Sequence, residues 1–398
     1  MTIGDIQIKK IFDSRGDTTI EVVVTNEHKQ SFSCQVPSGK STGEKEAVAF
    51  GYEKARQVLA GVISKQLVGK MYHSAQEVDR ALLDIDDSPK KIIIGGNVAL
   101  GISLAAARAL AAEKRLQLWE LLGREFFPGQ KTRRYPFVFS NVINGGSHAT
   151  NRLDIQEYMV VMRPHDNLFA GIERLGAFYR SLKELLQKRR DAANIPIGDE
   201  GGFDTDFSSN EEPLEMLEHV RKKDFADFSF AVDAAASQFF KNNAYVFEGK
   251  EISTTQLSGV YEGWRKKFGS LISIEDPFAQ TDEQGFRELR GRDKTLWVVG
   301  DDLTCTNAAR IAELAKSGVI NAVIIKANQV GTVTETCRAM QEAKARGLKV
   351  IVSHRSAETD DHFLAHIARA ANADAVKMGA PARERLGKYN ELLRVYEA

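Results

Sequence analysis

The sequence predicts an α/β protein in two parts: a small α+β domain, then a closed barrel of alternating strands and helices. Two observations carry this reading. First, from residue 228 onward short apolar runs recur, each ending in a charged or chemically useful residue: Phe228–Asp233, Leu271–Glu275, Leu296–Asp301, Ala322–Lys326, Lys349–His354 and Ala373–Lys377. The last five endpoints are 26, 25, 28 and 23 residues apart. That spacing suits one strand plus one crossover helix, and runs apolar on both faces suit parallel strands buried under helices. Second, the residues before about 130 follow a different order, strands first and helices after, which indicates a separate α+β unit.

The 398 residues are enough for a barrel of about 250 residues with a second domain beside it. If the barrel closes as a TIM-like (β/α)8 barrel, the polar endpoints share one rim, the rim at which such barrels build their sites. The domains are expected at residues 1–130 and 136–398, joined by the Pro/Gly/basic stretch Phe127–Pro136.

Each element has its own signal. In residues 5–36, Ile20, Val22 and Val24 alternate with polar neighbours, as do Phe32, Cys34 and Val36, so antiparallel strands are expected. Residues 37–43 (Pro-Ser-Gly-Lys-Ser-Thr-Gly) lack an apolar anchor beyond the proline and read as a mobile loop. Helical patterns follow at about 44–60, 74–85 and 97–122. Phe137–Val142 reads as the first barrel strand, with another near 155–162. A helix is expected over about 166–190, where Leu168, Ile172, Leu175, Tyr179, Leu182 and Leu186 form a packing stripe.

Composition narrows the function. Lys plus Arg and Asp plus Glu both number 54, which gives no electrostatic reason to expect nucleic acid or an anionic membrane as partner. No apolar run approaches the roughly 18 residues of a spanning helix, and the start lacks a secretory pattern. Cys34, Cys305 and Cys337 make neither a disulfide framework nor a zinc spacing. A cytoplasmic enzyme is the expectation.

The candidate chemistry lies at the run ends. Asp233, Glu275 and Asp301 end three successive runs; any one alone reads more readily as a helix cap or salt-bridge partner, but together at barrel spacing they point to a hard cation such as magnesium. Lys326 and Lys377 could serve as base and anchor. A lysine near its ordinary pKa of about 10.4 is a poor base at neutral pH, but burial, a second cation and a metal all lower it. Ser353-His354-Arg355-Ser356 resembles an anion clamp, since arginine offers a planar fork of donors. Glu200, in the loop Gly198-Asp-Glu-Gly-Gly202, is a candidate general acid. Asn144-Gly-Gly-Ser-His148, with Glu157 nine residues later, is a second glycine-rich loop with titratable groups.

Taken together these segments resemble the enolase family. The resemblance rests on Phe12-Asp-Ser-Arg-Gly16, Pro37–Gly43, Asn141–His148, Gln156-Glu157, Gly198–Phe203, Ser273-Ile-Glu-Asp-Pro-Phe278, Gly300–Thr304, Lys326-Ala-Asn-Gln-Val-Gly331, Val352–Ser356 and Lys377–Pro381, in the family's order along nearly the whole chain. It implies an enolase-type barrel with an N-terminal capping domain. It also implies a magnesium-dependent lyase of glycolysis and gluconeogenesis that interconverts 2-phosphoglycerate and phosphoenolpyruvate. Asp233, Glu275 and Asp301 would hold the first magnesium. Lys326 would remove the proton beside the substrate carboxylate, and Lys377 would contact that carboxylate and steady the enolate. Glu200 would protonate the leaving hydroxyl with help from Glu157. Arg355 and Ser356 would hold the phosphate, His148 and His354 would line the pocket, and Ser41 would ligate a second magnesium. A homodimer or higher homo-oligomer is implied. The general pairing of a Lys or His base with magnesium is a known property of this superfamily.

The chain departs from the family's pattern mainly at residues 50–95, where the N-terminal domain is shortened, and at Lys40, where a small residue is usual. The competing readings are a related lyase or racemase acting on another carboxylate, and a non-catalytic paralog. Retention of the His-Arg-Ser clamp, Glu200, Lys326 and all three carboxylates argues against both.

Overall fold

The computed structural model of the protein describes residues 1–39, 43, 45–130, 134–163 and 167–397. The chain opens with an antiparallel meander of β1 (Ile3–Phe12), β2 (Thr18–Asn26) and β3 (Ser31–Gln35). The expected alternation holds: Ile20, Val22 and Val24 are buried, and Val22 pairs with Ile8 on one side and Cys34 on the other. Helix α1 (Tyr52–Val58) passes through one widened turn, Leu59–Ile63, into α2 (Ser64–Leu67). Then come α3 (Ala75–Leu83), α4 (Gly96–Glu113) and α5 (Leu118–Phe126).

Helix α4 is buried on nearly all sides, as an apolar helix between two layers should be. It lies on the meander so closely that a Cβ on Gly101 would meet Val22 Cγ2 at 2.3 Å.

Two helix expectations need correction. The helix expected from 44 begins only at Tyr52. Its intended first turns are drawn into tertiary hydrogen bonds instead: Ala47 N–H to Gln329 O (2.9 Å), Val48 N–H to Lys90 O (2.8 Å) and Phe50 N–H to Asn97 Oδ1 (2.9 Å). The single helix expected at 97–122 is two. Arg115 adopts a left-handed φ of 54°, and α5 restarts after Gln117, whose N–H donates to Glu120 Oε2 at 2.8 Å.

The second part is a closed eight-stranded barrel. Its strands are β4 (Phe137–Asn144), β5 (Glu157–Met162), β6 (Ser229–Asp233), β10 (Leu271–Glu275), β11 (Trp297–Gly300), β12 (Ala322–Ile325), β13 (Lys349–Ser353) and β14 (Ala375–Lys377). A small sheet of β7 (Phe240–Lys241), β8 (Ala244–Phe247) and β9 (Lys250–Ile252) is inserted after β6. The flanking helices are α6 (Leu168–Arg190), α7 (Glu212–Asp224), α8 (Thr254–Lys267), α9 (Glu283–Arg292), α10 (Ala308–Lys316), α11 (Val333–Ala345), α12 (Phe363–Ala371) and α13 (Leu386–Glu397). Phe139, Met159, Val161, Val299, Ile324 and Ile351 fill the barrel, so it is a packed core and not a pore.

All barrel neighbours are parallel except those of β5, which runs against both β4 and β6. This reversal has a consequence for the site. The first residue of β5, Glu157, lies on the carboxyl rim in register with Asn144 and Asp233.

The N-terminal part roofs that same rim. Arg108 forks onto both carboxylate oxygens of Asp361 (2.7 and 2.5 Å), Ser38 bridges Ala357, and Asn328 donates to Pro37 O at 3.2 Å. Of the loop 37–43, residues 40–42 lie outside the described residues, and with them Ser41.

Candidate active site

Strand ends deliver most of the expected side chains to one place. Asp233, Glu275 and Lys377 are the last residues of β6, β10 and β14, and Asp301, Lys326 and His354 each directly follow a strand. One pocket is lined by His148, Glu157, Glu200, Asp233, Asp301, Lys326, His354, Arg355, Ser356 and Lys377, with Gly39 from the roofing loop.

Lys377 is the hub. Its Nζ lies 2.8 Å from Glu275 Oε2, 3.0 Å from Glu157 Oε2 and 3.1 Å from Asp233 Oδ2, all buried. Burial alone would lower its pKa, but the three carboxylates outweigh that and hold the ammonium protonated. Asp233 is further fixed by the Ala235 N–H (3.0 Å) and by Gln156 Nε2 (3.3 Å). Lys326 pairs with Asp301 Oδ2. There too burial would lower the lysine, and Asp301 raises it instead. The Lys326 backbone is positioned by Thr306 Oγ1 at 2.9 Å, and Thr306 in turn donates to Gln329 Oε1 at 2.6 Å.

A second group joins His148, Glu157 and Glu200. His148 Nδ1 is 3.7 Å from an oxygen of each glutamate, and His354 Nε2 is 3.7 Å from Glu200 Oε2. Asn141 Nδ2 donates to Glu200 at 3.0 Å. Glycines permit this approach: a Cβ on Gly202 would stand 2.0 Å from Asn144 Oδ1, and Gly201 has φ of +82°.

Burial, and next the Glu200 charge, push Glu157 well above the usual carboxylate range. Burial pushes Glu200 the same way, but His354, His148, Arg385 and Lys377 outweigh it and hold it low. Burial also lowers both imidazoles, so the lasting positive charges acting on Glu200 are Arg385 and Lys377. Of the pair, Glu157 is thus the one whose surroundings favour holding a proton.

The expected anion clamp is held by an acid. Arg355 Nη1 lies 3.0 Å from Glu46 Oε2 and 3.0 Å from Asn328 Oδ1, and Glu46 is itself held by Gln329 Nε2 and the Gly43 N–H at 3.1 Å. Ser356 is buried beside it, its carbonyl accepting from Arg385 Nη2 at 2.6 Å.

The three expected metal carboxylates are not drawn together as one tight group. Asp233 and Glu275 meet at Lys377, whereas Asp301 clusters with Asp276 and Asp302, with ligand atoms within 4.8 Å of one another. Asp276 is already spent there, its oxygens accepting the N–H groups of Asp301 (3.0 Å) and Asp302 (2.8 Å). The donor set nevertheless fits a hard divalent cation. It is all oxygen, Glu275 Oε1 is buried without a hydrogen bond, and burial and then the Asp233 charge push Glu275 well above its usual range. That crowding of negative charge is what a cation relieves.

Sequence reasoning missed Asp276, Asp302, Glu46 and Arg385. The tandem acids Glu275-Asp276 and Asp301-Asp302 were a visible signal for the first two. Glu46 and Arg385 act through contacts far along the chain, which no local pattern reveals.

Comparison with known proteins identifies the family. Residues 3–122 match the family described as "Enolase, N-terminal domain", and residues 133–398 match "Enolase, C-terminal TIM barrel domain". Curated relatives named enolase include those of Aeropyrum pernix (36% identical), Natranaerobius thermophilus (38%) and Anaplasma phagocytophilum (37%). Each alignment spans 99% of this chain and 94–95% of the relative. The chain belongs to the enolase family.

Proposed function

We propose that this protein is a working lyase that reversibly dehydrates 2-phosphoglycerate to phosphoenolpyruvate, a step of glycolysis and gluconeogenesis. The observation that carries the reading is the rim itself: Lys326 and Lys377 arrive there from different strands, each seated on carboxylates, with Arg355 in the same pocket. A dianionic enolate needs concentrated positive charge in a water-poor site.

Asp233, Glu275 and Asp301 would hold a magnesium ion, which supplies charge to stabilise the enolate. A second magnesium at Ser41 rests on the family resemblance, because Ser41 lies outside the described residues. Lys326, seated on Asp301 as an ammonium at rest, would take the proton beside the carboxylate only after Asp301 is drawn off to the cation and the amine has lost its own proton, and Lys377 holds that carboxylate. Glu200 delivers a proton to the leaving hydroxyl, drawing on the one stored at Glu157. Arg355 and Ser356 bind the phosphate, while His148 and His354 wall the pocket and exclude water.

The resting pocket offers only about 30 Å³ of free space. Substrate binding therefore requires the Lys326–Asp301 and Arg355–Glu46 pairs to yield. The reading includes a division into domains at 1–130 and 136–398, a cytoplasmic location and a homo-oligomer. The division is supported by the break between the two family matches, while the location and the homo-oligomer rest on the family resemblance; among the described residues no helix is long and apolar enough to cross a membrane.

The test follows ultraviolet absorbance as phosphoenolpyruvate forms, with and without magnesium. Lys326→Ala should cut turnover by about 10²–10⁴-fold. Glu200→Gln should keep exchange of the acidic hydrogen with solvent while losing dehydration. A parent without magnesium-dependent turnover ends the reading, and equal loss of exchange and dehydration in Glu200→Gln reverses the acid and base assignments.

A further inference from the structure

On the far side of the molecule from the carboxyl rim, α5, the chain after it and the ends of α12 and α13 enclose a cleft of about 630 Å³. Its volume falls within the roughly 300–1,000 Å³ of small-molecule sites. Phe127 and Pro128 give it an apolar wall.

The unusual group in it is Arg369. This arginine is only 8% exposed, and its guanidinium is stacked between the rings of Trp119 (4.1 Å) and Tyr396 (5.0 Å). Its Nη1 is buried without a hydrogen bond, and no ion pair to Arg369 exists among the described residues. The acidic residue lining the cleft, Glu120, turns an oxygen to the Gln117 N–H at 2.8 Å instead. Trp119 Nε1 is a second buried donor without an acceptor. Arg124 adds another cation at the mouth, also without an ion pair among the described residues.

A buried cation lacking its counter-charge is unfavourable, and stacking on rings offsets that only in part. Stacking holds the planar fork in place while leaving its buried Nη1 to an acceptor that the described residues do not supply. We propose that this cleft binds a small organic anion, its carboxylate or phosphate on Arg369 and its apolar body against Phe127 and Pro128. The site is separate from the pocket of the proposed reaction and shares no lining residue with it.

The test is calorimetric titration of the full chain with benzoate and with phenyl phosphate, using inorganic phosphate as control. Saturable binding with a Kd of millimolar order or tighter is expected for at least one probe, and the probe that binds names the head group. Inorganic phosphate should bind about tenfold more weakly or worse, because it leaves the apolar wall unused. Arg369→Met should weaken the organic probe at least about tenfold with turnover unchanged.

Gly123→Leu is the second variant. A Cβ there meets only Ala370 O at 4.0 Å, and leucine favours a helix interior over glycine, so this chain folds with its cleft filled and should lose binding likewise. The proposal is overturned if neither probe saturates, if inorganic phosphate equals the organic probes, or if both variants bind as the parent does.

Discussion

At the barrel rim the buried cations Lys377, Lys326 and Arg355 have acids within reach, whereas at the opposite cleft Arg369 has, among the described residues, only aromatic rings. Lys377 faces three carboxylates, Lys326 faces Asp301, and Arg355 faces Glu46. Arg369 faces Trp119 and Tyr396. The contrast separates two ways of keeping charge out of water. Ion pairs hold rim groups ready for a substrate that must displace their partners. Ring stacking holds a cation with no counter-charge among the described residues.

Substitutions at the two places should therefore differ in size. The largest effect is expected for Lys377→Met, which strands Glu157, Asp233 and Glu275 together in a buried cluster. A loss of about 3–5 kcal/mol in urea unfolding at neutral pH is expected. A loss under about 1 kcal/mol would mean that the three acids are already neutralised without the lysine.

Asp79 on α3 gives a buried acid with neither kind of cation. Burial is the main cause that raises its pKa to about 6; one oxygen accepts the Thr334 N–H at 2.8 Å, and Oδ1 has no partner. Its folded pKa exceeds the unfolded value of 3.8, so the native state binds the extra proton. Stability should thus fall as pH rises from about 4 to about 6 and stay flat above. Asp79→Asn removes this penalty, up to about 3 kcal/mol at pH 7, and nothing at pH 4. Urea midpoints at the two pH values measure it, and an equal difference at both would show that Asp79 is not the titrating group.

Glu46→Gln should be milder, at about 1–3 kcal/mol, because Asn328 still holds Arg355. If Glu46 orients the guanidinium for phosphate, KM for 2-phosphoglycerate should rise more than kcat falls. A lower KM would show that Glu46 competes with substrate instead. Smallest of all, Arg369→Met without ligand should change stability by no more than about 1 kcal/mol in either direction, since it removes an unpaired charge along with its stacking. A loss as large as that of Lys377→Met would erase the contrast between the two regions.

Much of this was legible in the chain. The strand-end residues Asp233, Glu275, Asp301, Lys326, His354 and Lys377 were found by the period of the apolar runs, because a parallel barrel sends every strand end to one rim. Glu157 was suspected for its glycine-rich neighbourhood, but its place at the start of a reversed strand was not visible, since an antiparallel β5 reads like any other apolar strand. The helices at 44–60 and 97–122 were overdrawn because periodicity cannot register hydrogen bonds such as Ala47 N–H to Gln329 O. Arg369 gave no signal at all: a basic residue on a helix normally reads as surface.

By itself the sequence determined the kinds of elements, their order and the side chains placed at their ends, because apolar period and turn residues act over a few positions. Tertiary structure alone decided who neutralises whom: that Lys377 gathers three acids, that Glu46 reaches Arg355 across 309 positions, and that Arg369 is stacked between rings. Coulombic and stacking partners are chosen by distance in space, and spacing along the chain carries no record of that distance until the barrel has closed.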